Sequence, residues 1–265
     1  MSLLANLLLS LLLWATPAWA AVDFDGADDG INFGSAASLD DAWYTAYFDV
    51  QIDAQGDSTA ARLMAKAISG GPNIFFESGV SSPSDIDFDH DTGGTQFQCR
   101  TSTDVAWGTR NRILVKWDRS LTAASCEIFI NGTEAAYQTL QNGTVGLNSD
   151  AASDLCIGNT EGASGCGETR SLDGVIYEFA FWSIELTDAE AAALTDSNRR
   201  VRLGPTQVQP ASLLLYSTLD DEEGGSSADG DTFFDRSGNG NNGAGTDGTN
   251  NTGLTVVDER QLSYP

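Results

Sequence analysis

The chain has 265 residues, of which 41% are apolar and 28 are glycine, enough for one globular domain with a sizeable core. Its 38 acidic residues outnumber 13 basic residues and give a formal net charge of −25. Because this charge repels polyanions, we exclude nucleic acid as a partner.

The first twenty residues have the pattern of an export signal. Leu3–Trp14 is a mostly apolar run, shorter than the roughly 20 residues that a membrane helix needs. Ala18-Trp19-Ala20 then supplies a small-x-small cleavage pattern, although Lys and Arg are missing near Met1. We therefore predict a signal peptide over residues 1–20 and a secreted or cell-surface protein without a membrane span.

Short alternating runs, separated by Gly, Asn, Asp and Ser, predict β-strands along most of the remaining chain. One such strand alternates Val175, Tyr177, Phe179 and Phe181 and follows an Asp-Gly turn. Thr187 then stands three residues before Glu190, which is the spacing of a helix capping box. The pattern predicts an antiparallel β-sandwich with one short helix near residues 188–196.

Several of these segments resemble one family. Ser171–Glu190, "SLDGVIYEFAFWSIELTDAE", resembles the closing strand and helix of laminin-G-like, concanavalin A-like jelly-roll domains. Three earlier segments resemble the middle of the same pattern, in the same order: Ile113–Asp118, Glu127–Gly132 and Leu155–Asn159. Arg110 lies near a position where the family often carries Trp. The resemblance implies an all-β, antiparallel jelly-roll β-sandwich over residues 21–198.

The region after the predicted helix departs from that pattern. Residues 199–211 have the composition of a linker, and residues 212–265 contain one strand followed by a Gly/Asn-rich tail. In laminin-G-like domains a similar strand and "D-x-S-G-N-G-N-x-G" motif normally open the domain. We favour a circular permutation in which residues 212–219 complete the sandwich, with Leu213 and Leu215 on one buried face; the alternative is a truncated second repeat.

The four cysteines are an even set without the spacing of a zinc knuckle, which favours disulfides in an exported protein. Three pairings are open, and the sequence does not choose among them. Pairing Cys156 with Cys166 would close a short loop and leave Cys99 to pair with Cys126 across strands.

A calcium site is predicted in the tail, because Asp235, Ser237, Asn239 and Asn241 alternate as in the first half of an oxygen-rich calcium loop. The bidentate acid expected at its twelfth position is replaced by Thr246. The candidate metal ligands in the loop are Asp235, Asn239 and Asn241. Because calcium takes about six to eight oxygens, Asp173 is added as a candidate ligand from elsewhere in the chain. The alternative is an Asx-rich turn that binds no ion.

A run of acidic residues raises the question of catalysis. Asp85, Asp87, Asp89 and Asp91 alternate with Ile86, Phe88 and His90. The run is vaguely similar to the catalytic strand of laminarinase-type glycoside hydrolases, but that strand uses Glu. His90 is the only histidine, so a catalytic triad is excluded. We expect a solvated strand face and no enzyme activity.

The fold leaves several functions open. Trp107, beside Gly108 between two strands, is the best exposed candidate for stacking on a sugar. We expect a secreted, non-catalytic laminin-G-like lectin module that recognises carbohydrate or a cell-surface glycan, with calcium as the candidate cofactor. The alternatives are a coat or adhesin scaffold without a glycan ligand, and a glycoside hydrolase of laminarinase type.

Overall fold

The computed structural model describes residues 20–40, 43–56, 60–67, 73–79, 83–91, 94–102, 105–120, 122–144, 150–160, 165–166, 170–198, 203–220, 228–247 and 253–258. The predicted signal peptide, residues 1–20, lies outside this described part except for Ala20. Two antiparallel sheets and one helix form the regular structure, with short 3-10 turns between them. This architecture confirms the predicted all-β sandwich.

The strands of the described residues, numbered in chain order, divide between the two sheets. The first sheet contains β1 (Ala20–Asp25), β3 (Thr45–Ala54), β8 (Thr109–Lys116), β9 (Glu127–Ile130), β10 (Thr133–Glu134), β13 (Asp173–Trp182), β14 (Leu213–Ser217) and β17 (Thr255–Asp258). The second contains β2 (Asp29–Asn32), β4 (Ala61–Ala67), β5 (Asn73–Ser78), β6 (Ile86–Asp91), β7 (Phe97–Thr101), β11 (Tyr137–Gln141), β12 (Leu155–Ile157), β15 (Thr232–Phe233) and β16 (Gly243–Asp247).

The order of the strands places the C-terminal segment in both sheets. The first sheet runs β10-β9-β8-β3-β13-β1-β17, and β14 also pairs with β13. β1 pairs with the first half of β13 and β14 with its second half, so these two strands lie end to end along one edge of β13. The second sheet runs β11-β7-β6-β5-β4-β12-β2-β16-β15. Whether this arrangement is a circular permutation stays a prediction.

A bulge in β14 changes which side chains share a face. Leu215 lies opposite Phe181 and Leu213 lies opposite Trp182, so Leu214 is an extra residue on β14. As a result Leu215 packs between the two sheets, whereas Leu213 packs in a second cluster on the outer side of the first sheet. Both leucines are buried as expected, but the prediction that they share one face was wrong.

The helix α1 (Asp188–Thr195) begins with the predicted capping box. The backbone N–H of Glu190 donates to Thr187 Oγ1 at 3.3 Å, and the backbone N–H of Thr187 donates to Glu190 Oε2 at 2.9 Å. These bonds satisfy two amides that a helix start leaves without intrahelical partners. Within the described residues no helix has the length and apolar character to cross a bilayer.

α1 and the segment after it cover the outer face of the first sheet. Trp182 is fully buried there and donates through Nε1 to the carbonyl oxygen of Val208 at 2.9 Å. The described part of the predicted linker, residues 203–211, therefore includes a segment that packs on the sheet. In the described residues no helix covers the outer face of the second sheet.

The main core lies between the two sheets and is rich in aromatic rings. Phe48 of β3 approaches Phe76 of β5 with ring centroids 5.7 Å apart, and Phe88 of β6 lies 5.0 Å from Trp117. All four side chains are fully buried. Because one face of each strand fills this core, alternate residues point outward, and those of the second sheet form its open face.

Two disulfides form, Cys99–Cys126 and Cys156–Cys166, which is one of the three pairings that the sequence leaves open. The first links β7 to the segment just before β9 and so ties the two sheets together. The second ties Cys156 of β12 to Cys166, whose carbonyl oxygen lies against Gly30 of β2.

Candidate functional site

The Asx-rich loop of the tail forms hydrogen bonds to the protein backbone. Asp235 accepts from the backbone N–H groups of Tyr216 at 3.2 Å and Asn241 at 3.0 Å, one with each carboxylate oxygen. The side-chain amides of Asn239 and Asn241 both donate to the carbonyl oxygen of Leu214 at 3.0 Å. The oxygens and amides of the predicted calcium ligands thus dock the tail on β14, as in the alternative of an Asx-rich turn.

Asp173 lies far from that loop. It is the first residue of β13, while the loop binds β14, which pairs with the other end of β13 near Phe181. Eight residues of strand separate Asp173 from Phe181 and span about 26 Å. The predicted ligand set of Asp235, Asn239, Asn241 and Asp173 is therefore not brought together, because β13 keeps its two parts at opposite ends.

Asp173 instead lies beside a second group of carboxylates where β1 ends and β2 begins, which we call the acidic turn: Asp25, Asp28 and Asp29. One carboxylate oxygen from each lies within 4.8 Å of the others. Asp29 is fully buried and accepts from the backbone N–H of Asp25 at 2.7 Å. Gly26, with a φ of +77°, brings the turn against Asp173, whose Cβ would lie 2.8 Å from a Cβ added at Gly26.

Further carboxylates surround the acidic turn. Burial, together with the charges of Asp53, Asp173 and Asp25, raises the pKa of Asp23 to about 6. Burial and the charges of Asp53 and Asp25 likewise raise the pKa of Asp173. Like charges held at this spacing disfavour ionisation, and a bound cation would relieve that repulsion.

The donors of the acidic turn fit a hard divalent cation. Calcium prefers carboxylate and carbonyl oxygens and takes about six to eight of them. The tail contributes Gly253, where an added Cβ would come within 2.5 Å of Asp29 Oδ2, so only a glycine backbone lies this close to the carboxylates. Asp25, Asp28 and Asp29 were not among the predicted metal ligands, although three acids within five residues were an available signal.

A groove of about 600 Å³ lies on the open face of the second sheet, and we call it the outer groove. Its described lining comes from β2, β15 and β16 and from the segments next to β12: Asn32, Phe33, Gly34, Asp154, Gly165, Thr232, Asn242, Gly243, Ala244 and Thr246. Its volume falls in the range of small-molecule sites, roughly 300–1,000 Å³.

Hydrogen bonds and close packing fix the walls of the outer groove. Asn32 Nδ2 donates to Asp154 Oδ2 at 2.8 Å, and Asn32 Oδ1 accepts from the backbone N–H of Gly34 at 2.6 Å. β12 lies beside β2 with Cys156 opposite Asn32, and the carbonyl of Cys166 packs directly on Gly30. The Cys156–Cys166 disulfide therefore holds one wall of the groove in place.

The acidic strand β6 lies on the same sheet but is not solvated. Ile86 and Phe88 face the core as expected, whereas Asp85, Asp87 and Asp89 are only 8%, 6% and 5% exposed. The expectation of a solvated face was wrong, because β6 is a central strand whose acids pack among the side chains of its neighbours β5 and β7. The side chain of Asp91 lies outside the described part.

Ion pairs and protons balance this buried charge. Arg100 pairs with Asp85 and lies 3.7 Å from Asp87, and Arg62 pairs with Glu77. Burial raises the pKa of Asp87 to about 6, and burial with the charge of Asp87 raises the pKa of Asp89 to about 7. Burial also lowers the pKa of Arg62 to about 9.

Trp107 is partly buried and packs against the main core. It does not line the outer groove, which lies toward the other edge of the second sheet. Its predicted role in stacking on a sugar stays a prediction.

A model of a known protein family matches most of the chain. Residues 25–192, more than half of the chain, match the family model of the concanavalin A-like lectin/glucanases superfamily. No curated protein is detectably similar in sequence.

Three solved structures match this chain, and the two with TM-scores above 0.5 share its architecture. A Bacteroides ovatus protein described as carbohydrate-binding has 16% identity and a TM-score of 0.54, over 91% of this chain and 60% of that one. A heptameric SAP-like pentraxin from Limulus polyphemus has 13% identity and a TM-score of 0.51, over 69% and 85%. The CBM40 module of a Ruminococcus gnavus sialidase, bound to α2,3-sialyllactose, has 14% identity and a TM-score of 0.48, over 65% and 96%. At these identities the likeness concerns the fold alone.

Proposed function

The chain belongs to the concanavalin A-like lectin/glucanases superfamily, and we propose that it is a secreted, non-catalytic module that binds carbohydrate in the outer groove, with calcium at the acidic turn. The observation that carries this proposal is the outer groove, a depression of about 600 Å³ on the open face of the second sheet whose lining includes several amide and hydroxyl side chains.

The lining of the outer groove suits a ligand rich in hydroxyl groups. Asn32, Thr232, Asn242 and Thr246 offer amide and hydroxyl groups, which donate and accept hydrogen bonds as sugar hydroxyls do. Phe33 is 3% exposed, so it adds little apolar surface to the lining. A saccharide can place its hydroxyls on these amide and hydroxyl side chains.

The carboxylates do not suit glycoside hydrolysis. Glycosidases hold two carboxyl groups on either side of the scissile bond, about 5–9.5 Å apart. In the described lining of the outer groove Asp154 is the single carboxylate. Asp87 and Asp89 are buried, and Asp85 and Glu77 pair with arginines. This arrangement supports a binding role.

The acidic turn connects a bound cation to the groove. Carboxylates of Asp25, Asp28 and Asp29 would hold the ion, and a calcium ion there would supply positive charge that offsets their repulsion. β2 starts at Asp29 and carries Asn32 to the groove three residues later. Fixing the start of β2 therefore fixes the position of Asn32.

The disulfides support an oxidising compartment. All four cysteines are paired, and disulfides persist mainly in secreted and surface proteins. With the apolar segment at the start of the chain, this pairing supports export.

A glycan array tests the proposal. The full mature chain is screened with about 5 mM calcium, roughly 5- to 50-fold above the dissociation constant of a weak extracellular site, and again with chelator. We expect retention of at least one saccharide class, weaker retention with chelator, and no release of reducing ends from bound polysaccharide. Thr232→Ala, at the exposed groove residue of β15, should weaken retention, while its matched control Thr133→Ala, at the exposed residue of the equally short β10, should not. A folded protein that retains no saccharide would refute the proposal and favour a scaffold role.

A further inference from the structure

The charges around the outer groove indicate which class of saccharide it binds, an inference that rests on the proposed function. We infer that the outer groove selects uncharged saccharides and rejects acidic ones such as sialylated, uronic or sulfated glycans. This selectivity follows from the charges of this chain's own residues.

The described lining of the outer groove holds no cationic side chain. Asp154 is its one charged residue, and the remaining polar side chains are amides and hydroxyls. Proteins usually recognise a saccharide carboxylate or sulfate by paired donors from Arg, or by the charge of Lys. An acidic group placed in this groove would meet Asp154 without such a partner and would lose its water without compensation.

The two described arginines on the strands of this sheet are already engaged. Arg62 of β4 is 5% exposed and pairs with Glu77. Arg100 of β7 pairs with Asp85, and β7 lies five strands from β2, a separation of about 24 Å. An arginine side chain cannot cross that distance to a ligand beside Asn32.

The rest of the molecule adds to the repulsion. The formal net charge is −25, so the protein stays strongly negative even with a divalent cation at the acidic turn. Asp247 of β16 lies opposite Asp29 in the same sheet. A negative field around the groove lowers the local concentration of anionic ligands and slows their association. Neutral hydroxyl-rich ligands are unaffected by it.

Matched saccharide pairs test the inference. Lactose is compared with 3′-sialyllactose, and cellotetraose with the same oligosaccharide oxidised to its uronic acid, each by array retention and calorimetry. The neutral member should bind at least about tenfold more tightly at low salt, and the gap should narrow at 0.5 M NaCl as charges are screened. Equal or tighter binding of the acidic member would overturn the inference and leave the proposed function intact. Binding of no saccharide on the whole array would refute both.

A charge substitution gives an independent readout. Ala244→Arg places a cation on the exposed wall of the groove, and Ala136→Arg adds the same charge at an exposed position outside it. Ala244→Arg should reduce the preference for the neutral member at least about threefold, while Ala136→Arg should leave it unchanged. An equal effect of both variants would mean that net charge, and not the groove, sets the selectivity.

Discussion

Truncating Leu215 tests whether the C-terminal segment is part of the folded domain. Leu215 lies on β14, is fully buried, and packs in the main core between the two sheets. Leu→Ala changes at such sites remove buried apolar surface and leave a cavity, and they cost about 3–5 kcal/mol. For a domain of this size each kcal/mol lowers the melting temperature by roughly 2–4 °C, so Leu215→Ala should lower it by roughly 6–20 °C.

The assay is thermal unfolding followed by calorimetry, with Leu140→Ala as the matched control. Leu140 lies on β11 and is 49% exposed, so its truncation should change stability by less than about 0.5 kcal/mol. Similar melting temperatures for the two variants would refute the packing of β14 described above. They would also favour the alternative that the tail is a truncated second repeat appended to a complete sandwich.

Three further predictions concern the ion, the disulfides and the buried acids. Calcium at a hundredfold excess over its dissociation constant should stabilise the fold by about 2.7 kcal/mol and raise the melting temperature. Asp25→Asn should abolish that rise. If the rise persists in Asp25→Asn, or is lost only in Asp235→Asn, calcium binds in the tail loop and not at the acidic turn. Removing Cys156–Cys166, with a sequence separation of 10, should cost about 2.7 kcal/mol and weaken saccharide binding. Removing Cys99–Cys126, with a sequence separation of 27, should cost about 3.6 kcal/mol and spare binding. Equal losses of binding would contradict the role of Cys156–Cys166 in holding the groove wall. Because the pKa values of Asp87 and Asp89 are raised to about 6 and about 7 on folding, the native state holds more protons than the unfolded state, so stability should fall as the pH rises from 5 to 8. Asp89→Asn should flatten that fall, measured by denaturant unfolding in chelator, and an unchanged slope would argue against a shifted pKa.

The fold was predictable because its signals are local. The spacing of Thr187 and Glu190 depends on neighbouring residues, and the capping box appears in the structure as expected. The predicted alternation along β13 was only partly right, because a bulge between Ile176 and Glu178 separates two pairs of side chains. Phe179 and Phe181 lie in the main core, whereas Val175 and Tyr177 pack in a separate cluster. The bulge at Leu214 was not predictable, because it depends on how β14 meets the end of β13. The burial of Asp87 was missed for a similar reason, since alternation shows which side a residue faces but not what covers that side.

Most of the candidate site could not be predicted from the sequence. The lining of the outer groove is drawn from distant parts of the chain, from Asn32 to Thr246, and meets only through the pairing of β2 with β12 and β16. The tail loop around Asp235 misled because the same Asx pattern serves calcium binding and backbone hydrogen bonding equally well. The acidic turn has a local signal in its three acids, but its enclosure depends on Asp173 and Gly253.

The central claim is that the outer groove binds the saccharide, and filling the groove with a large side chain tests that claim most directly. Ala244→Trp fills the groove from an exposed position of β16, and Ala136→Trp places the same side chain at an exposed position outside it. The dissociation constant of the best saccharide from the array is measured by calorimetry for both variants and the unmodified chain. We predict at least about a tenfold loss of affinity, or about 1.4 kcal/mol, for Ala244→Trp and none for Ala136→Trp. Unchanged affinity in a correctly folded Ala244→Trp protein would place the binding site elsewhere and contradict the account.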